Sequence, residues 1–117
     1  MSLRITSELW VSVLLRRAFS SGGFAAVARR GAAEAGAIFV IARSRLGELT
    51  LFGPAPQASY EEGAPPERLF AELLRTEASE DISSRLDREE RFDPDFWVVE
   101  VELDDALLRE LLTVRTP

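Results

Sequence analysis

The sequence contains no cysteine, no histidine, no lysine and no asparagine. Without cysteine there is no disulfide and no thiolate nucleophile. Without histidine as well, a zinc site would need four oxygen ligands, an uncommon set. Ser-His-Asp and Cys-His machinery is excluded for want of an imidazole. No lysine means no Schiff base, and so no pyridoxal-phosphate chemistry. The phosphate-binding P-loop consensus, which requires its Lys, is excluded as well. Without asparagine there is no N-glycosylation acceptor. No apolar run is long enough to span a bilayer. The run Leu9–Leu15 is broken by Ser12 and followed by Arg16-Arg17, which does not fit a signal peptide, so the expected location is the cytoplasm.

What is present is one domain's worth of ordinary globular sequence. The 117 residues are 46% hydrophobic and 29% charged, enough for a single core and far from a disordered composition. The net charge of −6 is unevenly distributed. Residues 1–46 hold seven arginines against two acids, a balance of +5, and residues 47–117 hold seven arginines against eighteen acids, a balance of −11. The 14 basic residues are all arginine, which with the many alanines reflects codon usage in a GC-rich genome. The two halves can neutralise each other within one domain, or the first half can present an anion-binding face. An acidic chain is a poor non-specific binder of nucleic acid, because phosphate affinity scales with the cations presented.

Residues 7–20 read as a helix. Ser7 is placed to cap it, Trp10, Val11, Leu14, Leu15 and Ala18 form its apolar stripe, and Gly22-Gly23 ends it. Three strands are expected at 24–30, 37–43 and 49–52, joined by short glycine-marked connections that favour an antiparallel meander. The run Ala37–Ala42 is apolar on both faces and reads as a central strand covered on both sides. Gly53–Gly63 reads as a loop, and Pro66 as the start of a second helix with Leu69, Phe70, Leu73 and Leu74 on one side. A third helix is expected at 80–91, capped by Ser79. Asp93-Pro94-Asp95 then breaks the chain before a strand from Phe96 to Leu103, and a last helix follows Asp104 or Asp105. The expected fold is α+β: a four-stranded, mainly antiparallel sheet packed with about four helices.

The candidate ligand-binding residues are Arg16, Arg17, Arg29, Arg30 and Tyr60. The two arginine pairs suit bidentate recognition of carboxylate or phosphate, beside a Ser20–Gly23 turn whose backbone N–H groups could assist. The alternative is a solvated face with ion pairs to the acidic half. The proline-rich stretch ending in Tyr60 can shape a pocket, or serve only as a rigid crossover. Asp93-Pro94-Asp95, below Glu89-Glu90, matches no calcium-loop spacing and is sufficiently explained as a turn. Trp10 and Trp97 each sit on an apolar stripe and read as core anchors. No catalytic residue, metal ligand or cofactor is assigned.

Several stretches resemble those of a family of small alphaproteobacterial proteins known as domain of unknown function 1491. They are Leu9-Trp10-Val11-Ser12 with Leu14–Arg17, Gly22-Gly23-Phe24 through Gly31, Ala35–Val40, Leu51–Pro56 and Arg91–Glu100. The resemblance implies a cytosolic single domain of this size and carries no activity, ligand or site. From the residues themselves the leading expectation is a non-enzymatic module for an anionic small molecule or acidic partner segment, with a homodimer as an open arrangement and no nucleic-acid or membrane partner. The alternatives are a small enzyme using carboxylates and Tyr60, with or without a divalent metal, and a structural subunit of a larger complex.

Overall fold

The computed structural model describes residues 5–56 and 68–115. Helix α1 (Ser7–Ser20) leads into β1 (Phe24–Arg29), β2 (Ile38–Arg43), β3 (Leu49–Pro54) and β4 (Leu69–Thr76). Helix α2 (Ser79–Phe92), β5 (Trp97–Glu102), α3 (Asp105–Leu111) and the short β6 (Thr113–Val114) follow. The strands form one mixed sheet in the order β1-β5-β2-β3-β4-β6.

This corrects the expected four-stranded, mainly antiparallel sheet with four helices: there are six strands and three helices among the described residues. The meander fails at its first step, because β5 lies between β1 and β2. It is antiparallel to β1 and parallel to β2. Glycine spacing reports that the chain turns but not which strand it joins afterwards. The expected second helix is strand β4. Its register against β3 shifts between Leu51 and Phe52, which pair with Leu74 and Glu72, so Leu73 is the extra residue. A bulged strand carries apolar residues on both faces, and here they fall at 70, 73 and 74, a spacing that also fits a helix. Strand β3 also runs two residues further than expected, through Gly53 and Pro54. Proline is tolerated at a strand end, where its missing N–H removes no ladder bond. A Cβ at Gly53 would sit 2.6 Å from Leu73 Cδ1 and 2.8 Å from Phe39 Cε1, so the strand closes on its neighbours only with glycine there.

The sheet is covered on both faces. Val11, Leu14 and Ala18 of α1 and Leu108 of α3 pack with Leu112 on Ile38, Val40, Phe52, Phe70, Trp97, Val99 and Val101. On the other face Ile82 and Leu86 of α2 pack on Phe39, Leu49, Leu51, Phe96 and Val98. Strand β2 contributes to both cores, as its two-sided apolar sequence requires. Helix α1 is capped by the Thr6 side chain, which accepts from Leu9 N–H, and not by Ser7. Ser7 is fully buried instead, and its hydroxyl donates to Gly36 O at 2.6 Å. Helix α2 starts at Ser79 after Ala78, with no side-chain cap; Thr76 Oγ1 accepts from Ala78 N–H and donates to Asp81. Asp104 caps α3.

The connection between β1 and β2 folds tightly over the start of β5. Ala32 N–H donates to Asp95 O, Trp97 Nε1–H donates to Ala32 O and Trp97 N–H donates to Ala37 O. A Cβ at Gly31 would lie 2.5 Å from Asp95 O and 2.6 Å from Phe96 C, both backbone atoms with no freedom to retreat. Gly31→Ala is therefore expected to destabilise the fold by about 2 kcal/mol or more through overpacking, read as a lower urea midpoint. An unchanged midpoint would contradict this packing.

Candidate functional site

Arg29 and Arg30 are consecutive, and so are Phe96 and Trp97. Each pair straddles the sheet, because successive strand residues point to opposite faces. Arg29 lies 4.1 Å from the centroid of Phe96, donates to Pro94 O at 2.6 Å and pairs with Glu90 at 3.6 Å. Arg30 lies 5.0 Å from the centroid of Trp97 on the other face and pairs with Glu8. The two arginines therefore hold the entry to β5 and are each engaged by a carboxylate and a ring.

Arg16 and Arg17 are exposed on α1 and have no ion-pair partner among the described residues. Arg16 lies eight residues from Glu8, about 12 Å along the helix at ~1.5 Å per residue, so the two arginine pairs do not gather into one cluster. The Ser21–Gly23 turn offers no free backbone donors. Ser21 N–H bonds to Arg17 and Ala18 carbonyls, Gly22 N–H to Phe19 O and Gly23 N–H to Ala18 O. A helix C-terminus is also the negative end of the helix dipole. Tyr60 lies outside the described residues.

The main concavity lies elsewhere, on the face that carries α1 and α3. It is an open groove of about 1570 Å³. Ala42, Thr50, Phe52 and Ala71 contribute small or apolar surface from β2, β3 and β4, and α3 contributes Leu107 and Leu108. Five arginines and five acids also line it. The acids are all engaged. Glu48 and Glu72 both pair with Arg75, at 3.3 and 2.7 Å. Glu102 pairs with Arg43 at 3.6 Å, Asp105 with Arg109 at 3.1 Å, and Asp104 accepts from Ala106 N–H as the α3 cap. Arg75 is held above the ordinary arginine range by its hydrogen bond to Glu72, reinforced by the charges of Glu72 and Glu48. The remaining two arginines, Arg45 and Arg115, have no acidic partner among the described residues. Thr50 is only 8% exposed, lines the groove, and its hydroxyl makes no hydrogen bond among the described residues.

A family model described as protein of unknown function (DUF1491) matches residues 5–112. The chain belongs to the DUF1491 family. The solution structure of Atu0922 from A. tumefaciens is 47% identical, covers 98% of both chains and superposes with a TM-score of 0.83. A DUF1491 family protein from Caulobacter crescentus CB15 is 36% identical in both a crystal and an NMR structure. Its TM-scores are 0.75 and 0.76, over at least 97% of this chain and all of that one. No curated protein matches. In this DUF1491 protein the stretch Arg91–Glu100 is the segment that Arg29 and Arg30 grip.

The groove residues Arg45, Thr50 and Arg115 drew no notice as a sequence pattern. Arg45 sits in the β2–β3 turn and Arg115 directly follows β6, and their membership of one groove depends on sheet order. Among the described residues no group of three or more acids could hold a metal ion, and no acid is buried. No helix among the described residues is long and apolar enough to cross a membrane.

The two arginine pairs should separate cleanly by stability. Arg29→Ala removes a carbonyl hydrogen bond and a cation–π contact at a side chain about one-third exposed, and is expected to cost about 1–2 kcal/mol. Arg16→Ala, on an open helix surface, should stay within about 0.5 kcal/mol of wild type. Equal effects in urea titration would refute the clamp.

Proposed function

We propose that this DUF1491 protein is a non-enzymatic binding domain of the cytoplasm that recognises an anionic ligand or acidic partner segment in the groove between α3 and the sheet. One observation carries this reading. Among the described residues every carboxylate lining the groove already has a partner, while two of the five guanidinium groups have no acidic one. A ligand that supplied carboxylate or phosphate oxygens would complete the set, and arginine is the side chain best shaped to hold them. Arg29 and Arg30 drop out of the recognition role because they are committed to Phe96, Trp97 and their acids. Arg16 and Arg17 add positive charge on α1 without entering the groove lining.

A second reading, that of a subunit completed by another protein, is favoured by the outer face of α1. Leu9 and Val13 lie there at 52 and 44% exposure, with Ile5 just before the helix at 55%. Sedimentation equilibrium that shows a monomer at all concentrations, with no change for Leu9→Ser, would remove the self-associating form of that reading.

Titration with inorganic phosphate, followed by amide chemical shifts, tests the groove. Shifts are expected at residues 44–48 and 114–115. They should fade above a few hundred millimolar salt, where the Debye length falls toward ~3–5 Å. Arg45→Gln and Arg115→Gln should each erase the shifts at their own end. Shifts confined to Arg16 and Arg17, or none at all, would reject the proposal.

A further inference from the structure

The two arginines without an acidic partner among the described residues stand at opposite ends of the groove. Arg45 lies in the turn just before β3, at the Leu49 end of that strand, where Leu49 pairs with Thr76. Arg115 donates its backbone N–H to Phe70 O, and Phe70 pairs with Pro54 at the other end of β3. The six residues of β3 separate these ends by about 17 Å at ~3.3 Å per residue. The backbones that carry the two guanidinium groups are thus far enough apart to favour an elongated ligand over a single phosphate.

Between the ends the groove does not welcome negative charge. Glu72 lies opposite Phe52 along β3 and Glu48 just before Leu49, and both pair with the single Arg75, which leaves one negative charge uncompensated. The surface from β3 is apolar apart from the hydroxyl of Thr50, a residue 8% exposed whose hydroxyl makes no hydrogen bond among the described residues. A polyphosphate or nucleic-acid strand, charged at every step, would set its middle phosphates against Glu48 and Glu72. An extended peptide has the opposite pattern. It can place a carboxylate at each end, keep an uncharged middle, and offer a backbone amide or carbonyl to Thr50.

Resting on the groove reading above, we infer that the occupant is an extended acidic peptide segment of a partner protein. Two carboxylates about five residues apart meet Arg45 and Arg115, and the chain between them is uncharged and passes Thr50. The spacing follows from the strand itself, since an extended ligand rises per residue as β3 does.

Three capped hexapeptides test this: EASAAE, EEASAA and QASAAQ, titrated into the full chain and followed by amide shifts. EASAAE should bind more tightly than EEASAA, and QASAAQ should bind least. Arg45→Gln and Arg115→Gln should each weaken EASAAE by about two- to fivefold, the range of an exposed ion pair, and their effects should add. EEASAA should respond to one of the two variants only. Thr50→Val, similar in shape and lacking the hydroxyl, should weaken EASAAE and leave phosphate shifts at the ends unchanged. Unperturbed spectra of the free variants exclude misfolding. If phosphate binds at the arginines but EASAAE and EEASAA bind alike, the spaced-peptide inference falls and the anion groove stands. If neither phosphate nor any acidic peptide binds, both fall.

Discussion

The insertion of β5 between β1 and β2 is the constraint on which this structure rests. A late strand must enter a gap between two early ones and pair with opposite polarity on its two sides. The gap is set at one end by the tight backbone approach of Gly31 to Asp95 and Phe96 and by the Trp97 indole bonded to Ala32 O. Arg29 and Arg30 then close over Phe96 and Trp97 from the two faces. Because Phe96 belongs to the α2-side core and Trp97 to the α1-side core, this one junction ties both hydrophobic layers to the same strand.

That junction uses up the arginines that looked most suited to recognition. A guanidinium stacked on a ring and paired with a carboxylate has part of its hydrogen-bonding capacity committed, and displacing those partners would loosen the entry to β5. The recognition proposed for this protein is accordingly placed in the groove beside α3. There the decisive property is how charges are paired, because equal numbers of arginines and acids line it. Among the described residues two cations at its two ends have no acidic partner, which gives the groove a charge pattern with a length as well as a sign.

Much of the fold was legible locally. Helices α1 and α2 and strands β1, β2, β3 and β5 fall near where periodicity and turn residues place them, because burial on one face leaves a period of 3.6 or 2 in the sequence. Strand β4 reads as a helix in sequence because its bulge at Leu73 distorts the strand period into one compatible with a helix. Strand β6 is only two residues long and exists through its pairing with Leu69 and Phe70, so it leaves no pattern to read. The candidate site was less legible. Arg16, Arg17, Arg29 and Arg30 announced themselves as adjacent pairs, yet adjacency in a strand sends two side chains to opposite faces. The isolated Arg45 and Arg115 have no local signature.

The sequence by itself determined which chemistries are unavailable, the sharp charge division between its halves, the two-sided burial of Ile38–Ile41 and the turn at Asp93–Asp95. These follow from side-chain composition and short-range periodicity, which a linear string contains in full. Only the tertiary structure decided the neighbour of each strand, which arginines are bound by acids and which are left open, and that residues seventy positions apart share one groove. Those outcomes depend on hydrogen-bonding between distant backbones. Any exposed strand edge offers the same donors and acceptors, so the choice of partner is made by the packing of the whole core.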